Sequence, residues 1–255
     1  MDSYDNELKA AISIARHAGD IMRTYFDGDQ QQETKEDGSP VTIADKQINR
    51  LVIEQLSHLF PEDGVIGEEA STTTHGMGRK WICDPVDGTK AFTWGVPTAM
   101  FSLGFVVDGE PMVGVVYDPF LDKLYTAVKG KGSYCNAQKL AVSSDGLQNG
   151  VVAVASDVKE ITRLPYIRTI PKPVTFSGSI YKSVLVARGR FVGFVEAGST
   201  DHDMAAAQVI VEEAGGRVTN LHGKPLDYSA PFAGVVVSNG VVHEALLEII
   251  TVSTT

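Results

Sequence analysis

The most informative segment of the chain is Trp81-Ile82-Cys83-Asp84-Pro85-Val86-Asp87-Gly88-Thr89. Its apolar first residues are typical of a strand, and the Asp, Pro and Gly that follow are typical of a turn. Asp84 and Asp87 are close enough in sequence to converge on an oxygen-loving cation such as Mg²⁺. The backbone N–H groups of Gly88 and Thr89 could bind a phosphate, as nest-like turns do. Taken alone, the segment is equally well interpreted as an exposed turn without a ligand.

The composition and charge of the chain limit its partners. Of 255 residues, 43% are hydrophobic and 21% are charged, as in ordinary globular proteins. The formal charge of −10 argues against a nucleic-acid partner, because that interaction needs clustered Lys and Arg. The same charge would repel an anionic substrate unless bound divalent cations reverse the local sign.

Several other classes of site are disfavoured. Cys83 and Cys135 are the only cysteines and form no CxxC pair or His-rich cluster, so zinc and redox motifs are absent from the sequence. The segment Met1 to Leu8 does not resemble a secretory signal, and no apolar run approaches the roughly 18 residues of a membrane span. We therefore expect a cytoplasmic protein with no membrane partner.

In the first half of the chain, periodicity predicts two helices followed by strands. Apolar residues recur at helical spacing from Leu8 to Phe26 and from Ala44 to Leu59. Both helices are predicted to precede the first strands. In the polar segment Asp29–Pro40 between them, Asp37-Gly38-Ser39-Pro40 predicts a turn or mobile loop. A meander of consecutive strands is predicted at Phe101–Val107, Met112–Tyr117, Lys123–Val128 and Gly132–Cys135.

The second half alternates between strands and helices. The predicted strands are Val151–Ala155, Phe191–Glu196 and Gly234–Ser238, and the predicted helices are Ser179–Ala187, His202–Ala214 and a closing helix from Val241. A change in composition at 143–150 indicates a boundary between two lobes of one catalytic unit, 1–145 and 146–255. The mixture of elements indicates an α/β fold class.

Two further motifs accompany the first segment. Gly67-Glu68-Glu69 lies upstream, and Asp203 opens a small-residue segment that ends in Glu213-Ala214-Gly215-Gly216. In order and spacing, the three motifs resemble those of the inositol monophosphatase family, over most of the chain from about Lys35 to His243. This resemblance implies an αβαβα layered sugar-phosphatase fold with the site between the lobes. It also implies Mg²⁺-dependent hydrolysis of a small phosphate monoester by in-line attack of a metal-activated water, without a phosphoenzyme.

The resemblance further implies a set of metal ligands. Those implied for two Mg²⁺ ions are Glu68, Asp84, the Val86 carbonyl, Asp87 and Asp203, with Asp84 bridging. Glu69 is a secondary candidate that would support a water or a third ion. Outside this context, Asp203 would be interpreted as the capping acid of its own helix.

The segment Thr42-Ile43-Ala44-Asp45 matches a family motif whose Asp pairs with the Thr of Asp-Gly-Thr to position the attacking water. Asp45, as the base, and Thr89 are therefore the implied catalytic pair, together with Glu68. The same segment also fits a capping box, which has a purely structural role. Gly88 and Thr89 are the predicted phosphate-binding residues. Lys35 is a secondary candidate, either near the phosphate or a solvated loop lysine.

Two residues are candidates for recognition of the alcohol part of the substrate. Glu196 lies where polyol-processing members carry a carboxylate that binds ring hydroxyls, which favours inositol monophosphate or a similar polyol phosphate. The same carboxylate could instead pair with the ammonium of histidinol phosphate. His202 replaces the usual Trp of the family and could contact the substrate, or could simply be a partly exposed His at a helix start.

Local similarities leave the substrate branch open. Lys35–Thr42 and Gly88–Phe92 look like the histidinol-phosphatase and nucleotidase branches, whereas Phe101–Phe105 and Gly130–Asn136 look like the inositol branch. A bisphosphate nucleotidase or a fructose bisphosphatase would need extra basic residues. A non-catalytic binding protein would show a lost carboxylate, and each one in the motifs is present. The resemblance also implies inhibition by Li⁺ and a homodimer.

Overall fold

In a computed structural model, residues 3–36, 38–73, 78–155 and 169–252 are described. The helices in these residues are α1 (Asp5–Phe26), α2 (Ile43–Leu59), α3 (Thr89–Thr93), α4 (Ser179–Ala187), α5 (Asp201–Glu213) and α6 (His243–Val252). The strands are β1 (Glu33–Thr34), β2 (Pro40–Val41), β3 (Gly64–Gly67), β4 (Arg79–Asp87), β5 (Met100–Val107), β6 (Glu110–Asp118), β7 (Lys123–Val128), β8 (Ser133–Cys135), β9 (Gln138–Lys139), β10 (Val152–Val154), β11 (Pro173–Thr175), β12 (Gly193–Glu196), β13 (Arg217–Thr219) and β14 (Val235–Ser238).

The strands form two main sheets. The first has the order β3-β4-β5-β6-β7-β8-β9, in which β3 runs parallel to β4 and the remaining neighbours are antiparallel. The predicted meander is therefore confirmed. The second sheet has the order β11-β10-β12-β14-β13, with β10 parallel to both of its neighbours.

Helices cover both faces of the first sheet. On one face, α1 and α2 pack residues such as Ala18 and Ile48 against Trp81 and Phe101. On the other face, α5 carries Ala205 and Ala206 close against the glycines of β5 and β6. Because small residues meet on both sides, the helix backbone can approach the sheet closely.

The helices α4 and α5 lie between the two sheets, and α6 covers the outer face of the second. The central core joins Ile82 of the first sheet to Phe194 of the second around Met204 of α5. A separate cluster packs Leu246 of α6 against Val195. The layers are thus helix, sheet, helix, sheet, helix, which confirms the predicted αβαβα arrangement. Within the described residues, none of the helices has the length and hydropathy needed to cross a bilayer.

Some short elements differ from the prediction. A two-stranded hairpin of β1 and β2 lies between the first two helices, so the prediction that both helices precede the first strands is wrong. The turn predicted at 37–40 overlaps the connection between these two strands, and Asp37 lies outside the described residues. The sequence also does not predict the strands β3, β9, β11 and β13 or the helix α3. Strands of two to four residues are too short to show a periodic pattern. The division into lobes at 145 stays a prediction.

Candidate active site

Three carboxylates meet where β4 ends and α5 begins. The pairing of β4 with β5 shifts between Asp84 and Asp87, which indicates a bulge at this point. A bulge re-aims the side chains that follow it. Asp203 reaches the same point from the first turn of α5. Carboxylate oxygens of the three residues lie within 4.8 Å of one another.

Backbone amides hold these carboxylates in place. The Val86 N–H donates to Asp84 Oδ1 over 3.0 Å. Asp87 lies at the N-terminus of α4, where the Ser179 N–H donates to Oδ1 (2.9 Å) and the Ile180 N–H donates to Oδ2 (3.0 Å). A helix N-terminus favours a negative charge at this position. Asp87 therefore ties β4 to a helix that begins far along the chain.

Asp203 caps its own helix and also belongs to the carboxylate cluster; its role as a metal ligand stays a prediction. The Thr200 N–H donates to Asp203 Oδ2 over 2.7 Å, which completes a capping box at the start of α5. The residue is also one of the three clustered carboxylates. A carboxylate has enough lone pairs to cap a helix and to bind a cation.

The cluster is electrostatically unfavourable without a cation. Burial raises the pKa of Asp84 well above its usual range, and the nearby Glu68 and Asp87 charges add to this rise. Burial also raises the pKa of Asp203 well above normal. The pKa of Asp87 rises to about 7 through burial, opposed by the Lys182 charge. A hard divalent cation would compensate these buried charges, and the all-oxygen donor set suits Mg²⁺.

Asp45 and Thr89 form the predicted pair. The Thr89 Oγ1 lies 3.3 Å from Asp45 Oδ1 and 2.9 Å from the Val86 carbonyl, so it can donate to either acceptor. The other oxygen of Asp45 accepts from the Thr42 N–H (2.8 Å) and hydroxyl (2.5 Å), and this capping box begins α2. Burial raises the pKa of Asp45 to about 6, against the lowering effect of the Thr42 hydrogen bonds. The structural and the catalytic interpretation are thus compatible.

Lys35 is bound to the acidic pair of the second motif. Its Nζ lies 2.7 Å from Glu68 Oε1 and 2.5 Å from Glu69 Oε1. Burial alone would lower the pKa of Lys35, but the two ion pairs together raise it. Lys35 is therefore ion-paired and mostly buried at the cavity wall, and its contact with the phosphate stays a prediction.

A cavity of about 440 Å³ opens over these groups. Its walls are formed by Lys35, Ser39, Glu68, Asp84, Val86, Asp87, Gly88, Thr89, Gly198, Thr200, His202 and Asp203. An adjoining hollow shares Glu68, Asp87, Gly88 and Thr89 and adds the segment 177–179. Gly88 has φ +82°, a left-handed conformation that favours glycine, and it begins the short helix α3.

The two predicted substrate contacts are placed differently from each other. His202 lines the cavity; its Nδ1 lies 3.5 Å from Asp201 Oδ1, and its Nε2 is buried with no hydrogen-bond partner in the described part of the chain. Glu196 is not part of the walls of either hollow and is buried. Its oxygens bind Lys182 and two serine hydroxyls.

Comparison with known proteins places this arrangement in a family. The model of the "Inositol monophosphatase family" matches residues 3–254. This chain belongs to the inositol monophosphatase family. It is therefore a phosphoric monoester hydrolase, as the sequence predicted, and the interpretation as a non-catalytic binding protein is wrong.

The relatives of this phosphatase carry more than one name. It is 34% identical over 260 residues to a histidinol-phosphatase of Mycobacterium tuberculosis, covering 96% of this chain and 97% of the relative. It is 32% identical over 266 residues to inositol monophosphatase 1 of Solanum lycopersicum, covering 98% and 97%. Among solved structures, an IMPase of Thermotoga maritima has a TM-score of 0.89 at 27% identity, covering 98% of both chains.

The sequence prediction missed one charged residue beside the site of this phosphatase. Lys182 lies on α4 and is fully buried. It is not among the residues predicted from the sequence. Its neighbours Ile180 and Val184 are buried as well. The position of Lys182 on the apolar face of a predicted helix could have revealed it. A lysine on such a face is buried, and a buried lysine needs an oppositely charged partner.

Proposed function

We propose that this phosphatase is a Mg²⁺-dependent enzyme that hydrolyses a phosphate monoester of a small neutral polyol, with inositol monophosphate as the leading example. The observation that carries the proposal is the convergence of Asp84, Asp87 and Asp203 beneath a cavity whose wall includes Gly88 and Thr89. The cavity wall thus brings together carboxylates suited to bind cations and backbone N–H groups suited to bind an anionic group.

The residues that would hold two Mg²⁺ ions are Glu68, Asp84, the Val86 carbonyl, Asp87 and Asp203, with Glu69 available for a third. Bound Mg²⁺ would neutralise the phosphate, lower the pKa of water and stabilise the departing alkoxide. The net charge of the chain supports this requirement, because an acidic site without cations would repel the phosphate.

The protein groups would orient the attacking water and accept its proton. Thr89 Oγ1 can donate its proton to Asp45, which leaves an oxygen lone pair directed at a water proton. With a pKa of about 6, Asp45 is mainly ionised at neutral pH and can act as the base. The water oxygen then forms the new P–O bond, and the ester oxygen leaves on the opposite side.

The amides of Gly88 and Thr89 would bind phosphate oxygens. Backbone donors are fixed before the substrate arrives, so they need little reorganisation in the transition state. Lys35 would act mainly on Glu68 and Glu69, which it already contacts. Its ammonium limits the mutual repulsion of the acidic residues at the edge of the cavity.

Histidinol phosphate is the second candidate substrate. Proteins named histidinol-phosphatase, from Chlorobaculum parvum and Mycobacterium tuberculosis, share 33% and 34% identity with this chain. A bisphosphate substrate has support from a fructose-1,6-bisphosphatase/inositol-1-monophosphatase of Aquifex aeolicus that is 30% identical. A second phosphate would need extra basic residues, but Arg188 is directed to the Tyr125 hydroxyl at 3.4 Å and lines neither hollow.

The test is phosphate release from inositol 1-phosphate, histidinol phosphate, fructose 1,6-bisphosphate and adenosine 3′,5′-bisphosphate, with Mg²⁺ and with a chelator. We expect Mg²⁺-dependent turnover with inositol 1-phosphate preferred. Preference for another ester would show that the proposed substrate is wrong. If none of the four esters is hydrolysed with Mg²⁺, the proposed mechanism is wrong. Inhibition by Li⁺, a homodimeric state and a cytoplasmic location complete the proposal.

A further inference from the structure

Lys182 is a buried cation of α4, the helix whose first residue, Ser179, lines the hollow next to the proposed substrate cavity. Its side chain is 0% exposed, and its Nζ lies 3.2 Å from Glu196 Oε1. The ammonium also lies 4.9 Å from the centre of the Phe194 ring, a favourable cation–π position. Because a buried lysine is costly without a counter-charge, this pairing fixes both side chains.

The second oxygen of Glu196 is occupied as well. Ser179 Oγ donates to Glu196 Oε2 over 2.5 Å, and Ser199 Oγ donates to the same atom over 3.0 Å. The carboxylate therefore has one charged and two hydroxyl donors, all from the protein. A substrate hydroxyl or ammonium would have to displace one of them, and displacing a buried donor is unfavourable.

Glu196 is nevertheless near enough for its charge to act on the substrate. Ser179, one of its donors, lines the hollow together with Gly88 and Thr89. Gly198, two residues further along the chain, lines the adjoining cavity. An uncompensated carboxylate at this depth would attract a cationic group on the alcohol, because charge interactions are weakly screened inside a protein.

We propose that Lys182 is a specificity-determining positioning residue, which cancels the charge of Glu196 and holds that carboxylate out of contact with the substrate. The site then selects phosphate esters of neutral alcohols and does not favour esters whose alcohol carries an ammonium. The inference rests on the proposed function, since it concerns the alcohol group that the same reaction releases.

The test uses two esters that differ only in charge, 2-aminoethyl phosphate and propyl phosphate. The measured quantity is the ratio of kcat/KM for the cationic ester to that for the neutral ester. Changes in turnover that both substrates share cancel in this ratio, so a merely structural effect leaves it constant. For the wild type we expect a ratio of one or below.

Three variants change the local charge in a defined way. Lys182→Met leaves Glu196 unpaired, and we expect the ratio to rise by about tenfold or more. Glu196→Gln leaves the lysine unpaired, so the ratio should fall. The double variant Lys182→Met/Glu196→Gln removes both charges and should return the ratio to within about threefold of the wild type.

The double variant is the decisive one, because it buries no unpaired charge and remains informative even if Lys182→Met does not fold. If Glu196 contacted the alcohol directly, the double variant would lose that contact and its ratio would fall more than about threefold below the wild type, and the inference would be overturned. A wild-type preference of tenfold or more for the cationic ester would overturn it too.

A binding measurement separates this inference from the proposed function. Calorimetry with 3-aminopropylphosphonate and butylphosphonate, which lack a hydrolysable ester bond, should give affinity ratios that follow the same order across the variants. If neither these two esters nor inositol 1-phosphate is hydrolysed with Mg²⁺ but the affinity ratios behave as described, the proposed reaction fails while the effect of Lys182 on ligand charge preference stands. If the affinity ratio does not change when Lys182 is replaced, the inference is wrong, whatever the turnover measurements show.

Discussion

At the scale of single residues, Asp87 has the clearest dual role. Its carboxylate accepts amide hydrogen bonds from the start of α4 and is one of the clustered acids. Asp87→Asn keeps the volume and one acceptor oxygen but removes the charge. We expect Mg²⁺-dependent turnover to fall by at least about a hundredfold, while the variant still folds.

The matched control for Asp87→Asn is Asp145→Asn, which makes the same chemical change at an exposed position. Steady-state assays and thermal melts of both variants provide the comparison. Survival of Mg²⁺-dependent activity in Asp87→Asn would show that the ligand assignment is wrong. Loss of the cooperative thermal transition in Asp87→Asn would show that the hydrogen bonds from α4 to Asp87 are required for folding.

Thr89 offers a second prediction at this scale. Thr89→Val keeps the shape of the side chain but removes the hydroxyl that lies between Asp45 and the Val86 carbonyl. We expect kcat to fall by about 10²-fold or more with KM little changed, because general base catalysis needs this proton path. Thr89→Ser retains the hydroxyl and should keep most of the activity. Equal losses in the two variants would contradict the assigned role.

The sequence predicted the residues of the site better than their contacts. Asp45, Asp84, Asp87, Thr89 and Asp203 come together as their motifs implied. Their catalytic roles stay predictions. The bonds from Asp87 to α4 and from Lys182 to Glu196 depend on how distant elements pack, so no local pattern could show them. The same holds for the serine donors of Glu196, and its role in substrate binding stays a prediction.

At the scale of secondary-structure elements, the position of Asp203 depends on how closely α5 packs on the first sheet. A Cβ added at Gly114 would lie 2.4 Å from the Ala206 carbonyl oxygen, so the helix would have to move. Gly114→Ala should lower the free energy of unfolding by about 1–3 kcal/mol. It should also weaken Mg²⁺ binding, because α5 carries one of the clustered carboxylates.

Gly146→Ala is the matched control for this change. Nothing lies within 4 Å of a Cβ at Gly146, so its free energy of unfolding should stay within about 0.5 kcal/mol of the wild type. Denaturant unfolding and calorimetric Mg²⁺ titration measure the two effects. If Gly114→Ala were as stable as Gly146→Ala, the close contact would have no energetic importance.

A buried histidine links α6 to the second sheet. His243 is fully buried, with Nδ1 2.8 Å from Ser238 Oγ and Nε2 2.9 Å from Thr219 Oγ1. Burial lowers its pKa from 6.5 to about 4. The folded state therefore binds the proton less readily than the unfolded state, so this residue stabilises the fold fully above about pH 6.5. That contribution is lost as the pH falls towards 4.

The test compares wild type and His243→Gln by denaturant unfolding between pH 4 and pH 7 in chelator. The variant should be less stable at pH 7, because Gln replaces the two hydrogen bonds imperfectly. The difference between the two proteins should shrink as the pH falls. A difference that is constant with pH would show that His243 titrates normally in the folded state.

The longer elements were predictable and the shortest were not. Lys123–Val128 and Ser179–Ala187 have the predicted bounds, because each shows a clear apolar pattern along its length. In contrast, Glu33–Thr34 and Gln138–Lys139 are exposed strands of two residues, whose formation depends on a pairing partner. Tertiary contacts fix such elements, so sequence periodicity does not reveal them.

At the scale of the whole molecule, net charge and reaction class are consistent only if the site binds cations. The chain carries a formal charge of −10, and its buried carboxylates face the cavity proposed for a phosphate ester. Divalent cations would turn this acidic cavity into one that attracts the ester. The layered fold supports the arrangement by bringing β4 and the starts of α4 and α5 to one place.

The most direct test of this account is a Mg²⁺ titration of phosphate release from inositol 1-phosphate, using wild-type protein stripped of metal and Asp203→Asn in parallel. We predict no release by the stripped wild type, full recovery as Mg²⁺ is added, and little recovery in Asp203→Asn at any Mg²⁺ concentration. Release that persists in chelator, or equal recovery in both proteins, would contradict the claim that these buried carboxylates form the catalytic cation site.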